Sequence, residues 1–163
     1  MCSMKYEEAL KSIPIRSVSL GSTTVYLFDV EQLNEEQVGY SVDEDSNSLV
    51  SDEEGSWKKE WLVIGYEDLC GDPIFIDALA DGFPVYTAMH GAGSWNACLI
   101  ASTLKGFAGA LEIISSLSAG RESPVELEAN PIPPNERDRA LDEIRKNNPG
   151  AGMEFWELWL GAQ

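Results

Sequence analysis

Catalysis by a Ser-His-Asp arrangement would have to use His90, the one histidine of this chain. Ser94 follows four positions on, and Asp72 or Asp77 would orient the ring, so the types needed for a Ser-His-Asp arrangement are present. Their setting is wrong for it. Gly91-Ala92-Gly93-Ser94-Trp95 does not match the Gly-x-Ser-x-Gly elbow that lifts a nucleophile out of a strand-to-helix turn. A histidine beside two glycines reads more simply as a turn residue. The same glycines fail both phosphate-binding templates, because position 96 is Asn and no Gly-Lys-Ser/Thr follows. Paired carboxylates for glycoside hydrolysis are available in excess among 28 acids, and nothing in the sequence singles out a pair.

A cation is the next chemistry to weigh. Asp43, Asp45, Asn47, Leu49, Ser51 and Glu54 fall at positions 1, 3, 5, 7, 9 and 12 of a calcium loop, with Val50 at the apolar eighth position. Ser48 stands where the sharp turn needs glycine, and the stretch after Trp57 reads as strand rather than helix. Cys2, Cys70 and Cys98 are scattered and odd in number, which fits a reducing compartment better than a disulfide framework. Without a Cys-x-x-Cys pair and with a single histidine, zinc is not indicated. Cys98 lies in an apolar run and is expected in the core. No cofactor is therefore expected.

Charge points elsewhere. Lys and Arg total 11 against 28 Asp and Glu, a net −17. Such a surface repels nucleic acid and anionic membranes and favours basic partners, or simply aids solubility. The acids are concentrated. Residues 29–60 hold 11 of them, twice the density of the whole chain, opposed only by Lys58 and Lys59. Tyr40 and Trp57 flank the polar run between them. With Asp43, Glu44, Asp45, Asp52, Glu53 and Glu54 they make the candidate partner-binding surface, aromatic anchors within a charged rim. The alternative is a solvated loop without a partner.

The elements that would position these residues follow from periodicity and punctuation. Tyr6 to Ser12 has helical spacing and is ended by Pro14. Arg16–Leu20 and Thr23–Phe28 read as strands joined by the two-residue turn Gly21-Ser22. Asp29 and Gln32 form a box-like start for a helix running to about Val38. Trp61–Gly65, Ile74–Asp77, Pro84–Ala88 and Trp95–Ile100 read as further strands, with a turn at Asp81-Gly82. Ser102 is the expected cap of a helix carrying Leu104, Phe107, Ala108, Leu111, Ile114 and Leu117 on one face and stopping at Gly120. Residues 122–134 look extended. Asn135 is expected to cap a later helix, and Met153–Leu160 to dock Trp156 and Trp159 into the core or to expose them as a patch.

Strands clustered in the middle with helices on either side argue for a single α+β domain with a mainly antiparallel sheet. Residues 1–120 would form its core and 121–163 a helical extension of the same domain. No run reaches the ~18 apolar residues of a membrane span, and the first residues lack a secretory h-region, so a cytoplasmic protein is the expectation.

The order Trp61-Leu-Val-Ile-Gly65, Gly71-Asp72-Pro-Ile-Phe-Ile-Asp77, Pro84-Val85-Tyr86, then Ile100-Ala101-Ser102-Thr103-Leu104 leading to Phe107, resembles the SUKH superfamily. That fold group is named partly for a fungal cell-wall-synthesis regulator, and its many bacterial members resemble immunity proteins that neutralise toxins. The likeness covers about the middle third of the chain. The family's longer helical lead-in, with its Leu-Pro turn and Asn-Gly-Gly signal, has no counterpart here, and neither does the tail beyond Gly120. The resemblance implies a non-catalytic protein-binding domain. Its partner would be a toxin domain, for which the charge suggests a basic nuclease, occluded by the acidic face. A regulatory scaffold like the fungal members and a calcium-binding module through residues 43–54 are the alternatives.

Overall fold

A computed structural model describes residues 2–161, with side chains from Tyr6 onward; the side chain of Cys2 lies outside the described set. Helix α1 (Cys2–Lys11) leads into six strands: β1 (Ser17–Leu20), β2 (Thr23–Leu27), β3 (Trp61–Glu67), β4 (Pro73–Asp77), β5 (Val85–Thr87) and β6 (Cys98–Ala101). Each strand pairs antiparallel with the next, in the order β1-β2-β3-β4-β5-β6. Helices α2 (Leu104–Ser118), α3 (Pro124–Ala129), α4 (Pro134–Asn147) and α5 (Glu154–Trp159) follow. The result is one α+β domain with a curled antiparallel sheet.

The curl and the burial come from alternation along the central strands. In β4, Ile74 and Ile76 face one way and Phe75 the other; in β3, Ile64 opposes Val63. One face meets α1, α2 and α4 through Leu10, Phe107, Leu111, Ile114, Leu141 and Ile144. The other is covered by the long β2–β3 connection, whose Trp57 caps Val63, Phe75 and Ala88. Strands buried on both sides read as unbroken apolar runs, and Trp61–Gly65 and Ile74–Ile76 do. Gly65 is required where β3 pairs with β2, because a Cβ there would overlap the Tyr26 carbonyl.

Several local expectations are corrected. The helix foreseen from Asp29 to Val38 is two short 3₁₀ turns, Val30–Gln32 and Glu35–Gln37, although the Asp29 amide does donate to Gln32 Oε1 at 3.0 Å. The reason is Gln37. Beyond Leu27, β3 lacks a strand on that side, and the buried Gln37 amide replaces one: its Nε2 donates to Val63 O and Leu33 O, and its Oε1 accepts from Val63 N, all at 2.9–3.0 Å. Thr103, not Ser102, caps α2 by accepting from Gly106 N at 2.9 Å. Ser102 is tied instead to Asn148 and Pro149. Asn135 lies inside α4 behind Pro133 and Pro134, and residues 124–129 are helical rather than extended, capped by Ser123. The last strand is Cys98–Ala101, with Trp95 drawn off by the hydrogen bond its backbone N–H donates to Gly55 O at 2.7 Å. Cys98 is exposed, not a core residue.

The C-terminal apolar segment docks. In α5 the Trp156 and Trp159 side chains are buried; Trp156 Nε1 donates to Ile100 O at 2.8 Å and Trp159 Nε1 to Thr23 O at 3.3 Å. The two indoles thus tie β6 to β2 across three intervening strands and hold the curl. Trp156→Ala should cost about 3–5 kcal/mol, whereas Leu158→Ala, at an exposed position of α5, should stay within about 0.5 kcal/mol. Equal urea midpoints for the two variants would contradict this docking.

Candidate functional site

The acidic loop is a built structure. Asp43 Oδ1 accepts from the amides of Asp45 (2.9 Å) and Asn47 (2.8 Å), and its Oδ2 from Asn47 Nδ2 at 3.1 Å. This Asx-type arrangement carries Ser46 into the left-handed region at φ 65°. Leu49 N donates to Ser41 O and Ser51 N to Trp57 O, closing the loop onto its own base. Lys58 turns its ammonium inward onto Glu53 O (2.6 Å) and Ser51 O (3.3 Å). Glu44, Asp45, Asp52, Glu53 and Glu54 remain exposed, and Asp43 is partly so.

Trp57 is not the surface anchor expected of it. It is only 1 % exposed, its ring 4.7 Å from Phe75, 5.2 Å from Tyr40 and Trp61, and 5.3 Å from Trp95, centroid to centroid. Its indole N–H donates to Trp61 O at 3.2 Å. Trp57 is the seat on which the loop stands. Tyr40 is half-buried against it, and burial, followed by the charges of Asp72 and Glu36, raises its phenol pKa.

The loop does not have the form of an EF-hand. Its first candidate ligand, Asp43, spends both oxygens on Asn47 and on backbone amides, and its flanks are isolated bridges, Val42 with Ser48 and Val50 with Trp57, rather than helices. Among the described residues, metal-capable side chains converge at a different place, where ligand atoms of Glu67, Cys70 and Asp72 lie within 4.8 Å of one another. Glu67, 7 % exposed, is occupied there: its oxygens accept from the amides of Leu69, Cys70 and Asp72 at 2.8–3.2 Å, fastening the β3–β4 turn.

His90 joins this turn. Its Nδ1 lies 2.9 Å from Asp72 Oδ1, which also accepts the His90 amide at 3.0 Å, so Asp72, not Asp77, orients the ring. Ser94 makes no hydrogen bond to it; the Ser94 side chain sits against Gly55. The neighbouring thiol of Cys70 has its pKa raised by the charges of Glu67, then by desolvation and Asp72, the reverse of what an activated thiolate needs. Among the described residues, the histidine has an orienting carboxylate, and no serine or cysteine is hydrogen-bonded to its ring.

Between this turn and α5 lies a groove of about 540 Å³. Leu69, Leu99, Ile100, Phe155, Leu158 and Trp159 supply its apolar walls, and Glu67, Asp72 and Glu154 its ionised groups; Cys70 and Cys98 both reach it. Little in the sequence marks this groove. Its lining comes from five separate stretches, Thr23, residues 67–72, Thr87, residues 98–100 and residues 150–159, and the only local hint is Leu69, an apolar residue 61 % exposed between Asp68 and Gly71-Asp72.

Compared with protein-family models, with curated proteins and with solved structures, the chain matches none of them.

Asp43 offers a check on the loop. Hydrogen bonds from the Asn47 backbone and then side chain lower its pKa from the ordinary 3.8. A depressed carboxylate stabilises the fold above the unfolded value and loses that contribution as the pH falls through the folded one. Amide shifts of Asp45 and Asn47, followed by NMR, should therefore titrate together with a midpoint below 3.8, and Asp43→Asn should abolish that transition. A midpoint at or above 3.8 would contradict the bonding.

Proposed function

We propose that this is a non-catalytic protein-binding domain that captures a basic partner through its acidic loop. The observation that carries this reading is the rigid seating of the loop. Five exposed acids, Glu44, Asp45, Asp52, Glu53 and Glu54, project from a segment fixed beneath by the buried Trp57 and internally by Asp43. Lys58, one of only two basic residues in the 29–60 segment, is turned back onto loop carbonyls and forms no ion pair with these carboxylates. Carboxylates held in place lose little freedom on binding, and clustered like charge steers a basic protein into encounter.

The resemblance to SUKH domains makes the more specific reading an immunity protein whose acidic face occludes a toxin, with a nuclease as the partner whose phosphate-holding cleft such a face would fill. It would act in the cytoplasm. Tyr40, half-buried beside the loop base, retains a place at the edge of the surface; Trp57 acts from beneath.

The test is capture from the native lysate at low and at high salt, with wild-type protein and a variant carrying Asp52→Lys, Glu53→Lys and Glu54→Lys. A single basic protein should be retained by the wild type at low salt and lost with the variant. With that protein purified, the variant should lower the association rate about 10- to 100-fold at low salt and change dissociation less. A variant that binds as well as the wild type would move the interface off this loop.

A further inference from the structure

We propose that the groove beneath α5 is a binding site for a small amphipathic organic cation, a molecule with an apolar body and one positively charged head. Its volume of about 540 Å³ lies within the ~300–1,000 Å³ of small-molecule sites. Six of its lining residues, Leu69, Leu99, Ile100, Phe155, Leu158 and Trp159, are large and apolar. Two of these stand largely uncovered, Leu69 at 61 % and Leu158 at 73 % exposure, so filling the groove would remove apolar surface from water.

Charge selects the head group. Every ionised side chain in the lining is a carboxylate, Glu67, Asp72 or Glu154, and no Lys or Arg lines it. Glu67 is held immobile and nearly buried by its three backbone amide donors, so its charge is fixed rather than free to swing into solvent. A fatty acid or other amphipathic anion would be repelled there. The lining also includes two aromatic side chains, Phe155 and Trp159, a residue type that favours cations. The site is separate from the acidic loop and does not require a protein partner.

Decyltrimethylammonium, kept below its micelle concentration, is the probe, with decyl sulfate as the anion of matched chain and decyl maltoside as the neutral one. Calorimetry and Trp159-region NMR shifts should show saturable binding of the cation, weaker binding of the maltoside and none of the sulfate. Leu158→Lys, on an exposed position that should not disturb folding, should weaken the cation about tenfold through lost apolar contact and added repulsion. Glu154→Gln should weaken it about two- to fivefold. Lack of saturable binding, or sulfate binding as tightly as the cation, would overturn the proposal. So would Leu158→Lys leaving cation affinity unchanged. If the cation fails to bind while Leu158→Lys abolishes capture of a protein partner, the groove is a docking surface for that partner and the small-molecule reading falls.

Discussion

Burial of the β3–β4 ribbon on both faces is the constraint from which the rest of the molecule follows. A sheet covered by helices on one side only could leave its other face wet. Here Val63 and Phe75 are apolar on the second face and must be covered, and the chain uses the long segment between β2 and β3 to do it. Trp57 is the plug. Because it is inserted between Tyr40, Trp61, Phe75 and Trp95, the segment that carries it cannot drift, and the acids borne on the same segment are fixed in space as a by-product. A strongly acidic stretch of the chain is thus anchored by a buried aromatic contact.

The two sites differ in how they come to be negative. The acidic loop owes its field to density: many carboxylates on one short stretch, each solvated, so its reach depends on ionic strength. The groove owes its field to fixation: few carboxylates, one of them almost out of water and clamped by backbone amides. The first arrangement suits long-range attraction of a large basic body. The second suits short-range discrimination of a head group beside apolar walls.

How legible this was in the sequence depended on whether the signal was local. The Gly21-Ser22 hairpin, the apolar runs of β3 and β4 and the buried face of α2 are written in neighbouring residues and appear where expected. The acidity of the loop was equally plain. What could not be read was long-range: that Gln37 would replace a missing strand beside Val63, that Trp57 would turn inward rather than outward, and that Leu69 and Leu158, 89 residues apart, would share one groove. Tryptophan near an acidic run fits a hot spot and a plug equally well, and only the partner across the sheet decides which. Cap choice failed for a similar reason. Ser102 and Thr103 are both competent, and the choice fell to Thr103 because the strand that precedes it delivers Ser102 to Asn148 and Pro149.

The tie between α5 and β6 has a consequence for how copies of this protein meet. A terminal strand ordinarily offers a row of unpaired backbone groups on which another chain can add itself. In β6 the carbonyl of Leu99 is taken by the amide of Gly152 and that of Ile100 by the Trp156 indole. The C-terminal segment therefore blunts that border of the sheet from within the same molecule. Growth by strand addition is blocked along it, and any crowding of these molecules there must be mediated by side chains, which their shared negative charge keeps apart.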